Sequence, residues 1–123
     1  MLTPLAYGLA ITLNLLILFI GARFLAVPRA AATAYGVPAK KDGDAAYLTI
    51  KGLRDGSYGL LGLALLAFAG AHAEALFMLV VALVPLGDTV IVLRNGGTKA
   101  TAFGIHFATA VIVLVSAALL FAL

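Results

Sequence analysis

The sequence contains no cysteine, and only 11% of its 123 residues are charged. Without thiols it can form no structural disulfide, no iron–sulfur cluster and no cysteine-ligated zinc, and it can do no thiol redox chemistry. With so little charge, a soluble domain of this size could not cover itself. Also missing is any basic arm with interleaved aromatics. The net charge of +3 and the pI near 9.5 therefore do not point to nucleic acid. What the chain does have is apolar sequence. It is 64% hydrophobic with a mean hydropathy of +1.18, in runs long enough to cross a bilayer. One helical bundle fits this length, with no separate soluble domain.

Four transmembrane helices are predicted, over about residues 4–24, 45–70, 74–94 and 99–122. The first run has no basic segment ahead of it and continues to Phe24. It reads as a retained helix and not a signal peptide. Pro28 ends it, and residues 30–35 are expected to form a short interfacial helix. Asp44 is a candidate cap for the second helix. Ala71-His72-Ala73 is expected as the turn before the third helix, with His72 and Glu74 solvated. Pro85 should kink the third helix. Asn95-Gly96-Gly97 should stop it, and Thr98 is a candidate cap for the fourth.

All eight lysines and arginines lie in or beside the first and third loops. The second loop and both ends have none. By the positive-inside rule the basic loops are cytoplasmic, giving an all-α integral membrane four-helix bundle with both ends outside. The expected location is a bacterial inner membrane, in contact with membrane lipid.

Ionisable residues inside such helices are costly and need an explanation. Asp88 lies six residues before Arg94, roughly 9 Å along the helix, and His106 lies seven after Lys99, about 10 Å. Arg23 is at the inner end of helix one, and Asp55 falls near the same level of helix two. Four helices thus offer a polar group at one depth. Lys51, Arg54, Asp55 and Tyr58 share a helix face by spacing. Gly52, Gly56 and Gly59 form a small stripe suited to close helix approach, including a homodimer. Gly104 and Ala108 offer the same on helix four. Asn14 sits mid-helix and suits an interhelical hydrogen bond or a substrate contact. His106 has no second ligand at helical spacing, so no metal is expected, and no cofactor.

These elements resemble a known family. Gly21-Ala-Arg23-Phe-Leu-Ala-Val-Pro28, Tyr35-Gly36-Val37-Pro38, Gly52-Leu-Arg54-Asp55 with Gly59, Pro85-Leu-Gly-Asp88 and His106 are similar to the small membrane proteins of domain of unknown function 4267. The resemblance implies a four-helix bundle and supplies no activity.

Three functions fit the residues. The first is a membrane-embedded site for a small lipophilic molecule. In it an Asp88–His106 pair, with Asp55 beside it, does acid–base work such as isomerisation, cyclisation or hydration. Arg23, Arg54, Tyr58 and Asn14 hold the substrate. The second is a homodimeric proton-coupled carrier. The third is a non-catalytic subunit in which Arg23 and Arg54 pair with Asp55 and Asp88 as glue. The first is preferred.

Overall fold

The computed structural model describes all 123 residues, and no strand occurs among them. The helices are α1 (Leu2–Ala26), α2 (Pro28–Tyr35), α3 (Ala45–Phe68), α4 (Ala71–Val81), α5 (Leu83–Arg94) and α6 (Lys99–Phe121). Within α6, Ala102–Phe107 is wound as a π-helix.

Local chemistry sets most of these boundaries. Pro28 occupies the first turn of α2, where its missing N–H is not needed. The proline that stops α1 therefore also starts α2. Gly36 closes α2 at φ 101°, a conformation open to glycine. Gly70, at φ 95°, makes the turn after α3. The next helix consequently begins at Ala71, and His72 and Ala73 belong to it and not to a turn. Val81, the last residue of α4, lies four before Pro85, where the proline ring collides with the helical carbonyl. That collision accounts for the interruption at Ala82.

Two capping expectations came out differently. Asp44 does not cap α3. Its carboxylate accepts from the Lys40 N–H at 2.9 Å, and its own φ is 70°. Thr98 does cap α6, its Oγ1 accepting from the Thr101 N–H at 3.1 Å. Thr98→Ala should cost about 1 kcal/mol of stability, the usual value of such a cap, read from the midpoint of thermal unfolding in detergent.

The long segments pack as two antiparallel pairs, α1 with α3 and α4–α5 with α6. Glycines let the first pair touch backbone to backbone. A Cβ on Gly52 would lie 2.8 Å from the Gly21 carbonyl oxygen, and one on Gly59 only 2.6 Å from that of Asn14. The stripe is therefore filled by α1 of the same chain. Gly52 and Gly59 thus make their close approach to α1 within one chain. Gly104 meets nothing within 4 Å, so it makes no close helix approach.

At one end the pairs join through small residues. Ala6, Ala10, Ala75, Ala82 and Ala117 are nearly inaccessible there, with Met78 and Leu120 between them. A second small cluster of Phe24, Ala31 and Ala32 forms at the opposite end, under α2.

Large apolar side chains point outward all round. Phe19 and Leu5 are 60% exposed, Leu83 68% and Phe68 92%. Water-soluble monomers rarely carry that much exposed apolar surface. Leu2–Ala26, Ala71–Arg94 and Lys99–Phe121 are long and apolar enough to cross a membrane, as a multi-pass membrane protein requires. α3 falls short of that measure because Lys51, Arg54 and Asp55 occupy its first half.

Candidate functional site

The two helix pairs join closely at the alanine-rich end and separate toward the end that carries the basic residues. Between them lies a cavity of about 260 Å³. Of its 23 lining residues 16 are hydrophobic, so it suits a mostly apolar guest. Its ionisable wall consists of Arg23 from α1, Tyr35 from α2, Asp55 and Tyr58 from α3, Asp88 from α5 and His106 from the π segment of α6. Leu16, Phe19, Val84 and Ile105 also line it, and they are 38–60% exposed, so its rim reaches the outer apolar surface.

α2 organises this wall. It folds back beside α1 and α3 and places Tyr35 between Asp88 and His106. The Tyr35 hydroxyl donates to Asp88 Oδ2. The Tyr35 carbonyl accepts from His106 Nε2 at 2.7 Å. Asp88 and His106 are thus not bonded to one another, as the sequence had suggested. One tyrosine bridges them, with its side chain on one and its backbone on the other. A carbonyl can only accept, so Nε2 carries the proton, and in the neutral ring Nδ1 is the free acceptor. Burial first, and the Asp88 carboxylate second, raise the Tyr35 phenol above its ordinary range. It remains a hydrogen-bond donor. Gly36 locks the position, because α2 must turn sharply there, and a Cβ on it would meet Thr101 Cγ2 at 2.7 Å.

Asp55 is 4% exposed and bonds Lys51 Nζ at 2.6 Å, the one ion pair in the molecule. Lys51 also sits over two rings, 4.3 Å from the centroid of Tyr35 and 4.9 Å from that of Phe24. The lysine is held inward by carboxylate and aromatics rather than reaching for headgroups. Arg54 is exposed and does not line the cavity. Arg23 lines it and forms no ion pair. Pairing of Arg23 and Arg54 with Asp55 and Asp88 is therefore not what joins these helices. Tyr58 stands edge-on to Phe77, with centroids 6.5 Å apart.

Asn14 also reaches the cavity wall, but both its N–H groups are used. They donate to the Ala10 carbonyl at 3.0 Å and to Glu74 Oε1 at 2.6 Å. Only its Oδ1 remains for a guest. Glu74, expected in solvent, is fully buried.

The sequence profile of a family described as Domain of unknown function (DUF4267) matches residues 14–120. The chain belongs to the DUF4267 family. No curated protein and no solved structure matches it. The matched residues include every ionisable side chain of this wall, so in this DUF4267 member all of the cavity lining except Leu13 falls within the family's segment.

Tyr35 is the functional candidate that spacing did not single out, while Lys51 was placed by spacing on the face of Asp55 but not among the site residues. A π segment is frequent at functional sites, because the extra residue re-aims a side chain. Here that side chain is His106.

Proposed function

We propose that all four long segments, α3 included, cross the membrane, with the basic loops cytoplasmic and both ends outside. The positive-inside distribution supports this orientation. α3 would be tolerated in the bilayer because Lys51 and Asp55 neutralise one another on its inner face.

In this reading the cavity takes a small lipophilic molecule from the bilayer, apolar tail along Leu13, Ile17 and Phe77 and polar head at the ionisable wall. The observation that carries it is Arg23: a guanidinium lining a mostly apolar cavity with no carboxylate partner. Such a group suits a carboxylate, a carbonyl or a developing enolate oxygen. His106 Nδ1 and the Asp88 carboxylate are the available bases, and the Tyr35 hydroxyl is the available donor. An isomerisation fits this set. A base removes a proton beside a carbonyl, the electron pair moves onto the oxygen held by Arg23, and a donor returns the proton at another carbon. The exposed apolar rim supports access sideways from lipid.

The test is mass spectrometry of small molecules bound to protein purified in mild detergent. The expected result is a discrete amphiphile on the wild type, at least tenfold depleted on Arg23→Gln and retained but unconverted on Asp88→Asn. Bulk phospholipid alone, on three equally stable proteins, overturns the reading.

A further inference from the structure

A second polar cluster lies away from the ionisable wall, at the alanine-rich end. Glu74 of α4 is 0% exposed. Asn14 donates to its Oε1, while its Oε2 has no partner. The Ser116 hydroxyl of α6, also 0% exposed, has none either.

No positive charge faces this carboxyl from any helix packed here. This half of α1 carries only Tyr7 among titratable side chains, and the last ten residues of α3 carry none. The α-helical part of α6, Ala108–Phe121, carries none. On α4 itself the other titratable group is His72, which is exposed and packs near the Phe121 ring at 6.2 Å. The one ion pair of the molecule is on α3, at the far end.

A buried carboxylate without a counter-charge does not persist; the group takes up a proton instead. A neutral carboxyl has one oxygen that accepts and one that donates. That matches Oε1 accepting from Asn14 and leaves Oε2 as the donor. Asn14 in turn lines the cavity. Its carboxamide fits a slot made by Gly62, where a Cβ would lie 2.6 Å from Asn14 Nδ2. One amide therefore separates Glu74 from the cavity.

We propose that Glu74 is a proton-binding site of the membrane interior, a neutral carboxylic acid that exchanges its proton with the cavity past Asn14. An intramembrane acid of this kind is a functional group by default. No hydrogen bond links it to the Asp88–Tyr35–His106 wall, so it holds whether or not that wall is catalytic.

The test exploits composition. Glu74 is the only glutamate in the chain, and there is no glutamine. Protein made by cell-free synthesis with carboxyl-labelled glutamate therefore has one isotope-shifted carboxyl band in the infrared, with no variant needed. At neutral pH, that band should be the carbonyl stretch of a neutral acid, and it should move when water is replaced by deuterium oxide. Asn14→Leu should slow the movement at least tenfold. A carboxylate band in its place overturns the proposal. If that band changes between sodium and choline buffers, the group is a cation ligand instead. A neutral band that never moves overturns exchange and leaves a structural hydrogen bond. An unchanged rate in Asn14→Leu overturns the route past Asn14.

Discussion

Gly21→Ala should push α1 away from α3 and destabilise the protein, whereas Gly8→Ala on the same helix should not. A Cβ at Gly21 would lie 2.7 Å from the Gly52 carbonyl oxygen and 2.9 Å from Gly56 Cα. Both are backbone atoms, so no flexible side chain can move aside. In a helix interior, alanine is better than glycine by about 1 kcal/mol, which is the gain expected at Gly8, where a Cβ meets nothing within 4 Å. At Gly21 that gain is opposed by overpacking, which costs about 1–3 kcal/mol even where side chains can relax. The net expectation is a loss of at least about 1 kcal/mol for alanine, taking the upper part of that range, and failure to fold for Gly21→Val. Unfolding by a denaturing detergent measures the pair of alanine variants side by side. Equal stability of Gly21→Ala and wild type would show that the helices do not approach this closely. The consequence reaches the cavity, because Gly21 and Gly56 are immediate neighbours, by one or two positions, of Arg23 and Asp55. The close approach is what sets those two side chains at one wall.

Much of this was legible from residue types. Apolar runs long enough to span a bilayer mark the helices, and Pro28, Gly70 and Thr98 act at their ends for ordinary backbone reasons. Arg23, Asp55, Asp88 and His106 stood out because charge inside apolar helices is rare, and all four do line one cavity. The glycine stripe was legible too, but not its partner: small residues show that a helix approaches without saying which one. Other features depend on contacts far apart in sequence. Tyr35 ends a short helix of ordinary composition. It reaches Asp88, 53 residues away, only because α2 folds back and Gly36 turns the chain. Glu74 sits four residues past a turn, where a carboxylate is usually wet, and its partner is 60 residues away. Arg54 shares a broad helix face with Lys51, Asp55 and Tyr58, and only the docking of α1 decides that it points outward. The π segment that re-aims His106 has no signature in the residues Ala102–Phe107 themselves.

Lys51→Met should be the most damaging single side-chain change in α3, and adding Asp55→Leu should largely reverse it. Asp55 is 4% exposed, and its one bonded partner is the Lys51 ammonium at 2.6 Å. Asp55 is buried but the Lys51 side chain is 27% exposed, so removing the lysine leaves an uncompensated charge at a cost below the about 3–5 kcal/mol of a fully buried pair in soluble proteins, whereas replacing both with apolar groups of similar volume is often neutral or stabilising. Methionine keeps the stem packed against Phe24 and Tyr35 and retains a sulfur–aromatic contact, so the loss reports the charge and not the packing. Arg54→Gln, at an exposed position one turn away, is the matched control and should change stability by less than about 0.5 kcal/mol. The measurement is a double-mutant cycle in unfolding free energy, whose coupling term isolates the pair. A harmless Lys51→Met would mean that Asp55 is accommodated from the cavity side instead. The restored double variant then separates two roles that a single substitution confounds. If it is stable and still carries the bound amphiphile, the two charges only neutralise one another within α3 and take no part in binding. If it is stable and empty, the charges of the Lys51–Asp55 pair belong to the binding wall alongside Arg23.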